Sequence, residues 1–245
     1  MKSFFSKKSI LRTMAVAAVC MLGTSNAQAQ EFTIQGDLVS SYVWRGIYQG
    51  GAASFQPTLG FSVGNFSLTA WGSTSLSESN KEIDLTAAYK FGEAGPTLSV
   101  ATLWWDGQAD VANGELTNNY FHFKSGDTGH HFEAGLAYTL PIEKFPLSIA
   151  WYTMFAGADR KTTDEGEEKQ AYSSYVELNY PFSVKGVDLN ATCGVVPYKT
   201  PQYNVNGFAV TNLALKATKA INFNDKFSLP IFVQAIWNPR LEDAH

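Results

Sequence analysis

The side chains most able to do chemistry are two adjacent histidines, His130 and His131, with Glu133 two residues further along. A metal site would need both imidazoles and a carboxylate to converge, but adjacent residues on a strand point to opposite faces. A hydrolase would need His131 to meet a carboxylate and a serine hydroxyl. The spacing therefore predicts polar residues at the rim of a strand, with no metal site, no cofactor and no enzyme activity. A membrane-embedded hydrolase is kept as the weakest alternative.

A second cluster of charge lies in residues 156–170, where acidic and basic side chains from Asp159 to Lys169 follow one another closely. Such a segment could bind calcium or bridge lipopolysaccharide through cations. It lacks the regularly spaced Asp, Asn and Glu ligands of an EF-hand loop. The pattern favours a solvated outer loop, with lipopolysaccharide as its expected neighbour.

The elements that would position these residues follow a period of two along the chain. In the first segment Phe32, Ile34 and Leu38 share one face, and Gln35 and Asp37 share the other. The pattern recurs in about eleven segments of roughly nine to thirteen residues, a length that crosses a bilayer at a tilt. We therefore predict an all-β fold, a transmembrane antiparallel up-and-down β-barrel. The residues expected to face lipid are Leu59, Leu85, Leu136, Leu189 and Val233, and those expected to face the lumen are Gln56, Asp84, Glu133, Asp188 and Gln234.

The connections between the segments alternate in length. Gly64–Asn65 is a tight turn, whereas residues 106–129 and 156–170 are long polar connections. Short turns on one side and long loops on the other are typical of outer-membrane barrels, and a secreted β-sandwich has no reason to sort its loops. Aromatic residues cluster at the strand ends, where interfacial girdles would lie. Those expected at the long-loop end are Tyr42, Trp44, Trp104, Trp105, Phe155, Tyr172 and Trp237.

Composition and the N-terminus support the same interpretation. Hydrophobic residues make up 45% of the 245 residues and charged residues only 16%, against about a quarter in soluble domains. The formal net charge of -4 argues against a nucleic-acid-binding surface. Residues 1–29 combine a basic start, an apolar core at Met14–Gly23 and a small-x-small site at Ala27–Ala29, which predicts a cleaved signal peptide. The barrel is then expected to span residues 30–245 of a Gram-negative outer-membrane protein, with outer-membrane lipid and the barrel-assembly machinery as partners.

A barrel in lipid has to close, because unpaired backbone groups at an open edge cost several kcal/mol each. Single-chain bacterial barrels have an even number of strands, so about eleven strands imply a twelfth. Residues 238–245 are expected to be an outer loop leading into that strand, and the strand itself is expected to be missing from the sequence. Residues 119–124 are the other candidate strand, but they would break the alternation of connections. Residues 33–45 and 227–237 should therefore not pair with each other.

Several motifs in the N-terminal third resemble the signature of a bacterial family. They are Ser41-Tyr42-Val43-Trp44-Arg45-Gly46-Ile47-Tyr48-Gln49, then Pro57, Trp71-Gly72-Ser73 and Glu82-Ile83-Asp84. The family is Gcw_chp, whose members are labelled TorF-type porins, and the Tyr-x-x-Arg-Gly element is its most specific part here. The resemblance is clear over about residues 32–90 and looser beyond. It implies an exported outer-membrane barrel of unproven activity and brings no catalytic or ligand-binding residues.

The lumen-facing charges carry the remaining functional information. Arg45 is expected to end the first strand on the lumenal face and to pair with Glu82 or Asp84, because its fork suits a carboxylate. Rings of charge can select permeant solutes. The residues favour a narrow porin-like channel for small polar solutes, and the alternative is a structural or adhesive barrel that acts through its outer loops. The pore-lining candidates are Asp37, Arg45, Glu82, Asp84, Lys90, Glu133, Glu177, Asp188 and Lys216.

Overall fold

The structure, a computed structural model, describes residues 30–106, 119–124, 128–225 and 227–245. The predicted signal peptide at residues 1–29 lies outside the described residues. All regular elements in the described ranges are β-strands, as the period of two predicts. They are β1 (Gln30–Val39), β2 (Tyr42–Trp44), β3 (Ile47–Gly50), β4 (Ser54–Val63), β5 (Phe66–Ser75), β6 (Lys81–Lys90), β7 (Thr97–Trp105), β8 (His130–Thr139), β9 (Ser148–Gly157), β10 (Arg160–Thr162), β11 (Glu168–Gln170), β12 (Ser174–Val184), β13 (Val187–Val196), β14 (Ala209–Asn224), β15 (Phe227–Asn238) and β16 (Asp243–Ala244).

Twelve of these strands form one antiparallel sheet in the order β1-β4-β5-β6-β7-β8-β9-β12-β13-β14-β15-β16. Each long strand pairs with the next long strand along the chain, so the sheet is an up-and-down meander. Eleven strands of the sheet have nine or more residues, and the twelfth, β16, has two. Residues 119–124 form no strand, as predicted. No helix in the described part of the chain is long and apolar enough to cross a membrane.

The sheet is not closed into a barrel in this structure, and we call the opening between β1 and β15 the seam. β1 pairs only with β4, and β15 pairs with β14 and, at Trp237 and Asn238, with β16. Within the described residues, residues 33–45 and 227–237 do not pair, as predicted. Residues 238–245, predicted as an outer loop, contain a turn and also the short strand β16.

Pro230 lies on the seam edge of β15. Ile236 exchanges both backbone hydrogen bonds with His245 on that side, each at 2.8 Å. Backbone groups alternate along a strand, and Pro230 lies six positions, an even number, before Ile236, so the N–H that proline lacks would also point to the seam. The proline therefore removes no hydrogen bond from the β14–β15 ladder, which fits the expectation that it lies at an edge.

The two faces of the sheet differ in polarity. We call inner the face that contacts the hairpin β2–β3, and outer the opposite face. On the outer face Leu59 is 56% exposed, Leu136 52% and Val233 71%. On the inner face Glu82 is 2% exposed and Glu133 5%. The predicted alternation of faces is confirmed at these positions.

The first segment differs from the prediction because the chain bends at Ser40 and Ser41, after β1 has ended. The hairpin β2–β3 forms a separate two-stranded sheet and folds across the inner face. Its Trp44 stacks on Tyr203 with ring centroids 5.5 Å apart and meets Trp105 edge-on at 5.4 Å. These contacts join the hairpin to β7 and to the loop before β14, which are far apart in the strand order. The sheet must therefore be strongly curved around the hairpin.

The buried core lies at the long-loop end of the inner face. One cluster contains Tyr175 and Val196, a second contains Leu103 and Met154, and Trp44 packs against both. The predicted aromatic girdle is therefore wrong in part, since several of its members point inward or are covered. Tyr42, Trp44 and Trp105 belong to the interior and Trp104 is buried, whereas Phe155, Tyr172 and Trp237 are exposed.

Residues 156–170, predicted as a solvated loop, contain the short hairpin β10–β11. Its register pairs Arg160 with Gln170 and Thr162 with Glu168. Most of its side chains are exposed, so the charge-dense character of the segment still matches a surface in water.

Candidate functional site

The site is built on the tip of the hairpin β2–β3. Trp44 pairs with Ile47, so the connection has two residues, Arg45 and Gly46. The backbone φ is 51° at Arg45 and 81° at Gly46. Positive φ at both central residues is the type I′ geometry that suits the twist of a two-residue hairpin. The Tyr-x-x-Arg-Gly element of the sequence is therefore a strand followed by this tight turn.

The turn is docked against the strands on the far side of the seam. A Cβ at Gly46 would collide with the carbonyl oxygen of Thr211. The Gly46 carbonyl oxygen accepts a 2.9 Å hydrogen bond from Asn238 Nδ2. Tyr48 on β3 stacks on His245, with ring centroids 4.8 Å apart. Glycine is thus needed both for its backbone angle and for the close approach.

Arg45 projects from the turn into a buried ion pair. Its Nη1 and Nη2 atoms donate to the two Glu133 carboxylate oxygens at 2.6 and 2.8 Å, which is a bidentate geometry. Nη1 also donates to the Tyr203 hydroxyl oxygen at 2.7 Å. The side chains of Arg45 and Glu133 are only 12% and 6% exposed. Burial raises the pKa of the Tyr203 hydroxyl, so this group stays neutral beside the ion pair.

Aromatic rings surround the same guanidinium. Its central carbon lies 4.7 Å from the ring centroid of Trp44, 4.5 Å from that of Tyr152 and 4.9 Å from that of Tyr175. These distances are within the range of cation–π attraction. We call this group the arginine box, consisting of Trp44, Arg45, Glu133, Tyr152, Tyr175 and Tyr203.

The predicted pairing of Arg45 with an acidic inner residue is confirmed, but the predicted partner is wrong. The partner is Glu133 on β8 rather than Glu82 or Asp84 on β6. The prediction placed Arg45 on a continuous first strand, whereas the bend carries it across the interior to β8. Tyr203 was not foreseen because it lies in an irregular loop, where no periodicity marks the direction of a side chain.

Glu82 marks a second buried region on the inner wall. It is 2% exposed, and within the described residues neither of its carboxylate oxygens has a hydrogen-bond partner. Tyr42, Trp105 and Asp84 lie beside the carboxyl group, but none of them meets it with hydrogen-bond geometry. Glu82 lines a cavity of about 180 Å³, which we call the acidic cavity. Asp84, two residues further along β6, also has one carboxylate oxygen without a partner in the described chain.

The other pore-lining candidates on the far wall are tied into polar contacts. Glu177 accepts hydrogen bonds from the Tyr175 hydroxyl at 2.8 Å and from Asn179 Nδ2 at 2.6 Å. The ammonium of Lys216 lies 3.9 Å from the centroid of the Phe232 ring. Glu177 is thereby linked to the arginine box through Tyr175.

The remaining candidates do not join either buried region. Asp188 and Lys90 lie beside short turns, and Asp37 lies near the end of β1 that leads to the hairpin β2–β3. Asp37 accepts a 3.0 Å hydrogen bond from Gln35, and Asp188 accepts one of 2.7 Å from Ser183. Lys90 is exposed at the end of β6. The structure therefore gathers Arg45 and Glu133 in the box and Glu82 and Asp84 on one stretch of β6, and it spreads the others along the wall.

The histidines lie on opposite faces, as adjacent strand residues should. His130 is fully buried between Thr102 and the Tyr120 carbonyl oxygen, each 2.6 Å from a ring nitrogen. His131 meets Trp105 edge-on at 5.1 Å, and its Nδ1 atom has no hydrogen-bond partner within the described residues. Both are buried, so the predicted polar rim is wrong. Among the described residues, no group of three or more His, Cys, Asp or Glu side chains could hold a metal ion.

Comparisons of the chain with protein-family models, with curated proteins and with solved structures find no match.

Proposed function

We propose that this chain is an outer-membrane β-barrel with a narrow channel for small polar solutes. The observation that carries the proposal is the division of the curved sheet into an apolar, exposed outer face and a polar inner face. On β1, for example, Phe32, Ile34 and Leu38 are 43%, 50% and 69% exposed. A soluble monomer rarely exposes an apolar patch larger than a few hundred Å², whereas the lipid-facing side of a barrel is apolar all round.

Strand length and sheet curvature support a barrel. The long strands have 9 to 16 residues, enough to cross a bilayer at a tilt. An edge left open in lipid would leave backbone groups unpaired, so the seam must be covered in the membrane. The hairpin β2–β3 already bridges the two sides of the seam, because its Gly46 carbonyl oxygen accepts a hydrogen bond from Asn238 and its Tyr48 stacks on His245. The resemblance to the Gcw_chp family points in the same direction.

The inner face supports a channel that is narrow at one end. Toward the short turns, inner side chains such as Ser67, Thr86 and Ser99 are only half-buried, so water can reach them. Toward the long loops, the hairpin β2–β3 and the arginine box occupy the interior. A path for solutes must therefore pass beside the hairpin, where the acidic cavity lies.

A closed structural or adhesive barrel is the second candidate. Tyr175 and Met154 are completely buried at the long-loop end, which is the packing expected of a lumen that is filled rather than open. In this case the outer loops, including the charged hairpin β10–β11, would carry the function. Lipopolysaccharide would then be the expected partner.

Planar-bilayer recording of the full chain, purified from bacterial outer membranes, separates these candidates. The channel predicts small, steady current steps. Trp44→Ala should enlarge the steps because it removes the ring that packs against both buried clusters. The control Leu76→Ala, in an exposed loop position, should leave them unchanged.

Silent bilayers overturn the channel if the same preparation is folded, as judged by its heat-dependent mobility in a detergent gel. Currents in Trp44→Ala alone, with a silent parent, would support the closed barrel. Recovery of the chain from the soluble periplasmic fraction would contradict the membrane assignment itself.

A further inference from the structure

Glu82 presents a buried carboxyl group that forms no ion pair and no hydrogen bond with the described chain. The nearest buried cation, Arg45, is already engaged by both carboxylate oxygens of Glu133. Lys81 is next to Glu82 in sequence, but its side chain is 60% exposed and its ammonium lies 3.7 Å from Asp106. An unpaired charge in such a place destabilises the fold, and proteins keep such groups at sites that act on ligands.

Glu82 also faces an empty space of useful size. The acidic cavity has a volume of about 180 Å³, and an apolar cavity of about 150 Å³ is known to hold benzene. Its rim includes exposed Asn80 and Lys81 at the long-loop end, and its inner end includes buried Glu82 and Ser73. A small molecule could therefore enter from the outside and approach the Glu82 side chain.

The lining of the cavity matches one class of ligand. Tyr42 and Trp105 contribute aromatic surface, to which cations are attracted. Trp105 also has a buried indole N–H without a hydrogen-bond partner in the described residues. A ligand with a cationic donor for Glu82 and a neutral oxygen acceptor for Trp105 would satisfy both groups.

We infer that the acidic cavity is a binding subsite for a small organic cation that carries an ammonium group and a neighbouring hydroxyl, as in an amino alcohol. The inference rests on the proposed function, because it places the subsite at the outer end of the solute path. It names the class of solute that the channel would favour.

Ethanolamine is the probe for this subsite. Saturation-transfer NMR of the full chain, folded in detergent micelles, should show saturable binding of ethanolamine. Ethylene glycol, which has a similar size and no charge, should bind at least about tenfold more weakly, because it offers no charge to the carboxylate.

Glu82→Gln keeps the shape of the side chain and removes its charge. It should weaken ethanolamine binding at least about tenfold. Glu143→Gln is the matched control, since Glu143 is exposed in the turn between β8 and β9, and it should bind as the parent does. Trp105→Phe keeps most of the aromatic surface and removes the indole N–H, and it should favour ethylammonium over ethanolamine relative to the parent.

Equal binding by the parent and Glu82→Gln would overturn the subsite, and so would equal displacement of ethanolamine by sodium chloride and by ethylammonium chloride at the same concentration. The two proposals can fail separately. Saturable ethanolamine binding without bilayer current would support the subsite and contradict the channel. Current without saturable binding would support the channel and contradict the subsite.

Discussion

Glu82 on β6 and Glu133 on β8 lie on the same inner wall with one strand between them, and both are almost completely buried. Glu133 accepts two hydrogen bonds from Arg45, whose guanidinium is enclosed by aromatic rings. Glu82 accepts none from the described chain and faces a cavity. A buried ion pair whose hydrogen bonds are all made holds its two elements in one relative position. A buried carboxylate without a partner instead attracts a cation. Burial alone therefore does not assign a role to either carboxylate, and their partners do.

Breaking the completed pair should have the largest effect. Arg45→Leu leaves Glu133 buried without a cation, and it should lower the free energy of unfolding by about 3–5 kcal/mol. Urea unfolding of the folded protein, followed by tryptophan fluorescence, measures the loss. Arg45→Lys keeps the positive charge but loses the bidentate guanidinium geometry, so it should lower the free energy of unfolding by less than Arg45→Leu does. A loss below about 1 kcal/mol in Arg45→Leu would show that the pair does not hold the hairpin in place.

The next prediction tests whether charge is tolerated only on the inner face of β8. Leu136 lies three residues after Glu133 and therefore points outward, where it is 52% exposed. Leu136→Arg should cost about 2–4 kcal/mol in lipid vesicles if this side faces the membrane near its midplane. Leu76→Arg, at a loop position that is 63% exposed, is the control and should be nearly neutral. Equal stability of both variants would contradict the lipid-facing assignment.

A smaller loss of stability should follow when the hairpin β2–β3 is pushed away from Thr211. Gly46 and Gly166 both have φ of 81°, but only Gly46 has neighbours in the way of a Cβ. Gly46→Ala should therefore lose about 1–3 kcal/mol from overpacking beyond the backbone strain that it shares with Gly166→Ala. Thermal unfolding of the two variants isolates the steric part. Equal losses would mean that the turn is not pressed against Thr211.

The smallest expected change in the free energy of unfolding has opposite signs for Glu82 and Glu177. Glu82→Gln removes an uncompensated buried charge, so it should raise the free energy of unfolding by about 1 kcal/mol in the absence of ligand. Glu177→Gln is the comparison, because the Glu177 carboxylate accepts hydrogen bonds from the Tyr175 hydroxyl and from Asn179 Nδ2. Neutralising this carboxylate should lower the free energy of unfolding. Urea unfolding in the same detergent compares them. Destabilisation by Glu82→Gln would indicate that Glu82 has partners in the folded protein.

The strands and their faces could be predicted from the sequence because one physical rule governs them. Alternation of apolar and polar residues marks which side chain points outward, and Leu59, Leu136 and Val233 are exposed as that rule requires. The same rule placed Glu133 inward. A period of two is a local property, so it survives without knowledge of the rest of the fold.

The arginine box could be predicted only in part because it depends on the path of the chain. The sequence indicates that Arg45 needs an acidic partner, but the partner depends on the bend at Ser40 and Ser41. No periodicity marks how far a hairpin folds across a lumen. Trp44 has the residue type of a girdle and packs inside instead, since the turn directs it toward the core. Tyr203 comes from a loop without any regular pattern.

Ion selectivity of the current in planar bilayers depends on an open lumen and on an uncompensated Glu82, so this one measurement tests the channel and its acidic cavity together. In a gradient of potassium chloride, the parent should give a reversal potential that favours potassium, and Glu82→Gln should move it toward zero, while Glu143→Gln, in the exposed turn between β8 and β9, should leave it in place. A folded parent that passes no current, or a reversal potential that is the same in the parent and in Glu82→Gln, would contradict the account.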